Sequence, residues 1–287
     1  MSALRSGRSR HRTGAPRTVT SRGGAGTLTR LVTEAPAVAS TLESNLRAVR
    51  ERLARSAAHA GRDPAGVRLV AVTKSTTPAR AAELASLGVL DLGESRADAL
   101  VEKAAALGGL APAPRWHFLG HLQRNKARRV VEHADAIHSV DSPALLAALA
   151  RLGRELGRAP ELYLQLKLAA EPSKTGAAPA ELPALLDAAR AEPNVRLAGL
   201  MTIAPLVEDE AARLPAARAA FRALAAHARE LERRADDARL FVDGRVRLSM
   251  GMTDDFEVAV EEGADVVRIG SALFAGLDAP ADGRSAA

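Results

Sequence analysis

The chain has 287 residues, 47% of them apolar and 26% charged, which is enough apolar material for a sizeable core and unlike a disordered chain. It has no cysteine, which removes disulfides, thiolate metal sites, iron–sulfur clusters and a cysteine nucleophile, and it has no apolar run of about 18 residues able to span a bilayer. The net charge of +6 is local: residues 1–36 carry seven arginines against Glu34, and the other 251 residues balance 33 basic against 33 acidic groups, which excludes a nucleic-acid-scale basic field on the body.

Residues 1–36 mix Arg, Ser, Gly and Thr without periodicity and read as a disordered basic extension. A polyanion contact or an Arg-rich targeting peptide are its functional readings, and a passive extension is the plainer one. Structure begins near Ser40, where Ser40 and Glu43 match a capping box and Leu42, Leu46, Val49 and Leu53 recur at helical spacing, predicting an N-terminal helix over 40–60. Short apolar runs then alternate with helical stretches: 68–74, 89–94, 115–120, 136–141, 161–169, 196–203, 246–251 and 266–270. Thr77 before Pro78 and Ser142 before Pro143 are helix starts, a capping residue with Pro in the first turn. A long helix over 210–236 places Leu214, Ala217, Phe221, Leu224, Ala228 and Leu231 on one face. Residues 278–287 read as a second disordered tail. Eight strands alternating with helices over roughly 220 residues predict an α/β fold, a single (β/α)8 TIM barrel over 37–277 with an extra N-terminal helix. An open doubly wound sheet fits less well, because no glycine-rich nucleotide fingerprint follows the first strand.

In such a barrel the chemistry lies at the carboxyl ends of the strands. The candidates are therefore Lys74, Glu94, His117, Gly120, Asp141, Met201, Thr202, Ser249, Gly251, Arg268, Gly270 and Ser271. Lys74 stands out because the chain uses 35 Arg and only five Lys. On the inward face with Val70 and Val72, it is expected to be desolvated at the mouth, nucleophilic, and suited to a Schiff base with a carbonyl. Across the mouth from it, Gly251 after the seventh strand and Gly270 with Ser271 after the eighth are small residues of the kind that cradle phosphate. An amine and a phosphate cradle together point to pyridoxal phosphate, PLP. Arg268, on the face of Gly270, would sit beneath the cradle as a permanent donor to the pyridine nitrogen, a poor arrangement for carbanion chemistry. His117 either contacts the ring or fills the core. His121, His133 and His138 share no metal-ligand spacing and read as scattered positions. Asp254 and Asp255 read as capping residues of the helix after the seventh strand.

These residues resemble the pyridoxal-phosphate homeostasis proteins of the YggS/PROSC type, from about Leu42 to Ala275. The segments carrying the resemblance are LVAVTK (69–74), LGES (92–95), WHFLGHLQRNK (116–126), SKTG (173–176), GLMT (199–202), SMGMTDD (249–255) and VRIGSALFAG (267–276). The resemblance implies a barrel like the alanine racemase N-terminal domain, with PLP on Lys74, Arg268 facing the pyridine nitrogen, Ser249, Gly270 and Ser271 holding the phosphate, and Met201 and His117 near the ring. Where the family commonly has Gly-Glu-Asn, this chain has Gly93-Glu94-Ser95, so Ser95 stands in the place of an Asn contact. The implied role is cytoplasmic PLP carriage and buffering, affecting amino-acid and keto-acid pools, with PLP-requiring apoenzymes as partners and no catalytic activity of its own. An amino-acid racemase of the same barrel type is the alternative. It needs a second acid/base, a tyrosine contributed with a further domain, whereas the sole tyrosine here, Tyr163, falls inside the fifth strand.

Overall fold

The computed structural model describes residues 40–168 and 175–277. The expectations for 1–36 and 278–287 lie outside these residues, as do the first two residues of the SKTG segment. Eight parallel strands close into a barrel in sequence order, β1 (Arg68–Val72), β2 (Asp91–Glu94), β3 (Arg115–Phe118), β4 (Ala136–Val140), β5 (Glu161–Gln165), β6 (Arg196–Met201), β7 (Arg247–Ser249) and β8 (Val266–Ile269), with β8 pairing back on β1. The helices are α1 (Thr41–His59), α2 (Pro78–Ser86), α3 (Ala97–Leu107), α4 (Ala127–His133), α5 (Pro143–Leu156), α6 (Leu182–Arg190), α7 (Glu210–Arg233), α8 (Ala235–Ala238) and α9 (Phe256–Glu261). The predicted TIM barrel and its extra first helix are both present.

Local sequence explains the starts. The hydroxyls of Ser40, Thr77 and Ser142 accept from the backbone N–H of Glu43, Arg80 and Leu145, capping α1, α2 and α5 as expected. Leu42, Leu46, Val49 and Leu53 bury one face of α1, which packs against α9 and is fastened there by two hydrogen bonds from Arg52 to the Glu257 carboxylate. Leu214 departs from its predicted buried face: it is 45% exposed in the first turns of α7, before Ala217 brings the helix onto the core. Most of the core is a shell of Leu, Ala and Val between strands and helices, into which Trp116, Phe118, Phe221, Phe241 and Phe256 are also packed.

Inside the barrel, the pairing register stacks the inward side chains in layers contributed by alternate strands. Arg68, Arg115, Glu161 and Arg247 form the closed end. Above them come Asp91, Ala136, Ala198 and Val266, then Val70, His117, Tyr163 and Ser249, and beneath the open end Gly93, His138, Met201 and Arg268. The interior thus runs from a charged floor to a polar upper third.

Candidate functional site

The open end is organised by β7, β8 and β1, three neighbouring strands. Lys74 stands two residues past β1, exposed, with no hydrogen bond or ion pair among the described residues. Protein atoms therefore do not supply the desolvation expected of Lys74; the amine is presented at an open mouth. Because β1 pairs with β8, Lys74 and the residues of the expected cradle lie side by side rather than across the mouth.

The cradle is built from close approaches. Gly251 has φ +92°, and a Cβ there would meet the Ala259 Cβ at 2.5 Å, so only glycine turns the chain from β7 toward α9 in this way. A Cβ on Gly270 would lie 3.2 Å from the Val72 carbonyl oxygen, which brings the turn after β8 against the end of β1. The Ser271 hydroxyl donates to Thr253 Oγ1 at 3.0 Å, joining the two turns at the rim. Asp255 stands at the N-cap of α9 but makes no side-chain capping hydrogen bond, contrary to the capping expected of it; its carboxylate accepts instead from the Met252 N–H at 2.6 Å, closing the loop before the helix. Asn45 of α1 donates to the carbonyls of Leu273 and Ala275, holding the segment after β8 from outside.

Arg268 is 4% exposed. One Nη donates to Ser249 Oγ at 2.8 Å and the other to the Thr202 carbonyl at 3.0 Å, while Thr202 Oγ1 donates to the Leu166 carbonyl. No carboxylate is within ion-pair distance among the described residues, and Asp255 acts on the guanidinium only at longer range. Burial pushes Arg268 down to about 10, which leaves it charged at neutral pH. Ser249 differs from its expected place: its hydroxyl is fully buried between Arg268 and His138, facing the barrel interior rather than the rim.

His117 is fully buried, as in the core-filling alternative, while His138 departs from its reading as a scattered position. His117 Nδ1 lies 2.9 Å from His138 Nε2, His117 Nε2 lies 2.8 Å from Asp91 Oδ1, and His138 Nδ1 lies 2.8 Å from Ser249 Oγ. A continuous line of hydrogen bonds therefore joins the Arg268 guanidinium to a carboxylate near the closed end. Burial lowers His117, although Asp91 opposes this, and burial together with His117 and Arg268 holds His138 well below the usual imidazole range. Burial disfavours the Asp91 charge, but the His117 N–H and the cations Arg68 and Arg115 outweigh it and keep Asp91 low. His138 lacks metal-ligand spacing and Asp91 begins its strand rather than ending it, so neither is marked by its place in the sequence; strand parity with Val140 and with Gly93 is the signal that puts them on the inner face.

Other candidates separate from the mouth. Glu94 is fully buried on the outer face of β2, paired with Lys103 of α3, which also donates to the Thr73 carbonyl at 2.6 Å. Asp141 is 3.7 Å from His121, which is half-exposed. Met201 is buried inside the barrel with Val70 and Tyr163. Ser95 is half-buried at the end of β2, its carbonyl 2.0 Å from where a Cβ on Gly120 would sit. Tyr163 stacks on His138 with ring centroids 4.3 Å apart, its hydroxyl buried and raised to about 12 by burial.

The chain is a closed parallel β/α barrel whose open end carries the exposed Lys74, the buried Arg268 and the tight turns at Gly251 and Gly270. The alanine racemase N-terminal domain family matches residues 44–278. A pyridoxal phosphate homeostasis protein of Pseudomonas aeruginosa is 41% identical over 240 residues, covering 83% of this chain and 97% of the relative. The solved structure of PipY from Synechococcus elongatus with PLP bound is 40% identical, covers 79% of this chain and 99% of that chain, and superimposes with a TM-score of 0.65. Alanine racemase from Streptomyces coelicolor, at 19% identity, a TM-score of 0.57 and coverage of 80% of this chain and 57% of that one, shares the fold. The chain belongs to the alanine racemase N-terminal domain family and, within it, to the pyridoxal phosphate homeostasis proteins.

Proposed function

We propose that the protein binds PLP at the open end of the barrel and serves PLP homeostasis by holding the cofactor and yielding it. The observation that carries this reading is the grouping of Lys74, Arg268 and the Gly251, Gly270 and Ser271 turns on three adjacent strands. These residues fit the group: an amine for an aldehyde, a donor-only cation for a ring nitrogen, and backbone turns with a hydroxyl for a phosphate. When bound, PLP supplies an electrophilic aldehyde and a pyridine ring able to accept electrons. Lys74 would hold the aldehyde, and its exposure keeps the amine open to solvent. Arg268 can donate hydrogen bonds but not surrender its proton at neutral pH, so facing a ring nitrogen it would leave that nitrogen an acceptor and give no support to carbanion chemistry.

The protein is read as a carrier without turnover of its own, acting in the cytoplasm with PLP-requiring apoenzymes as recipients. The racemase alternative lacks support at the mouth, since the only tyrosine is buried beneath His138. An absorbance band near roughly 420 nm on mixing with PLP, followed by borohydride reduction and peptide mapping, tests the assignment. The adduct is expected on Lys74 and lost in Lys74→Ala; an adduct on another lysine, or fast racemisation of L- or D-alanine, overturns it.

A further inference from the structure

We propose that Asp91, near the closed end of the barrel, is a positioning residue for the cofactor-facing guanidinium of Arg268, acting through a one-directional line of hydrogen bonds across the interior. The direction follows from donor and acceptor chemistry. Arg268 has only donors, so Ser249 Oγ accepts from it at 2.8 Å. At the far end the Asp91 carboxylate has only acceptors, so His117 must donate through Nε2 at 2.8 Å. A neutral His117 protonated on Nε2 leaves Nδ1 as an acceptor, and the only group facing it, 2.9 Å away, is His138 Nε2, which therefore carries a proton. His138 Nδ1 is then an acceptor in turn, and the Ser249 hydroxyl donates to it at 2.8 Å. Every donor points from Arg268 toward Asp91, and each atom on the line has one consistent role.

The carboxylate sets this order. Without an acceptor at position 91, His117 could place its proton on either nitrogen, His138 would follow, and the Ser249 hydroxyl could face Nδ1–H of His138 and a guanidinium with no one left to receive its own proton. Among the described residues Arg268 donates to two partners, Ser249 Oγ and the Thr202 carbonyl, so disorder at Ser249 loosens the cation itself. The surroundings keep the line neutral between its charged ends: Arg68, 3.7 Å from Asp91, and Arg115 stand by the carboxylate, and Tyr163 stacks on His138. The inference rests on the reading of Arg268 as a partner of PLP, but the line itself can be measured without the cofactor.

Imidazole nitrogen NMR on the labelled full-length chain, with His117→Gln and His138→Gln used to assign the signals, should find both rings neutral and protonated on Nε2 near neutral pH. A proton on Nδ1 of either ring overturns the proposal. Asp91→Asn retains an oxygen able to accept from His117 Nε2, and with Arg68 3.7 Å from that position favouring the oxygen over the amide N–H groups, it should keep both tautomers and bind PLP within about twofold of the parent. Asp91→Ala should mix the tautomers of His117 and His138 and weaken PLP retention about tenfold, the scale of one net hydrogen bond. Unchanged tautomers and retention in Asp91→Ala overturn the positioning role, as does a Nδ1–H tautomer in the Asn variant. If Asp91→Ala does not fold, the parent and Asp91→Asn spectra still decide. Failure of the parent to bind PLP would reject the functional reading of the mouth and leave the tautomer result to judge the line.

Discussion

His117 and His138 are both fully buried and both lowered from the ordinary 6.5, first by burial. Unfolded chains carry these imidazoles at their ordinary value, so below it the unfolded state binds more protons than the folded one. The stabilisation from keeping them neutral is complete above about pH 6.5 and is lost as pH falls toward their lowered values. Melting temperature measured from pH 8 down to 5 should therefore decline below about 6.5, and His138→Gln should flatten that decline; an unchanged slope in the variant counts against the pair as its source. Asp91 titrates in a lower window, since its value is depressed from 3.8. The sequence made Lys74, Arg268, Gly251 and Gly270 legible because each is marked by residue type at a strand end. It left the Asp91, His117, His138 and Ser249 connection hidden, because residues 21 positions apart meet only through the barrel register. Ser249 was placed at the rim for the same reason: parity set its face, but its height in the barrel depended on pairing.

Helix starts at Ser40, Thr77 and Ser142 and the alternation of apolar runs were readable because capping and periodicity are local. The docking of helices on strands was not, as Lys103 shows. It appears as an ordinary polar position of α3 in the sequence, yet it reaches under the loop after β1 to pair with Glu94 and the Thr73 carbonyl, 4% exposed. Thr73 Oγ1 also donates to Glu94 at 2.6 Å, so the base of the Lys74 turn is tied to α3 through this carboxylate. Removing one partner of a buried pair leaves the other charge uncompensated, at a cost of about 3–5 kcal/mol. Lys103→Met should lower stability by that amount in urea unfolding, and Glu94→Leu added to it should recover a substantial part. A double variant no more stable than the single one would show that packing, rather than the stranded carboxylate, carries the loss.

At the scale of the chain, the charge is divided between residues 1–36, which hold all of the +6, and a balanced remainder. A segment rich in Arg, Ser and Gly without apolar periodicity offers little to offset the ordering of its backbone at about 1–2 kcal/mol per residue. Deleting residues 1–35 should leave the melting temperature and the PLP absorbance band superimposable on those of the parent, and a lowered melting temperature or a lost band would refute this. The fold itself carries a consequence for how the protein is made. Asn45 in the first helix holds the carbonyl of Leu273, 228 residues later, and the last strand closes the barrel on the first. At about 5–20 residues per second of synthesis, roughly 11–46 s separate the appearance of the two ends of that contact. Lys74 emerges early, but Gly251 and Gly270, whose turns would grip a phosphate beside it, emerge 177 and 196 residues later, so throughout that interval the growing chain presents the amine without the cradle.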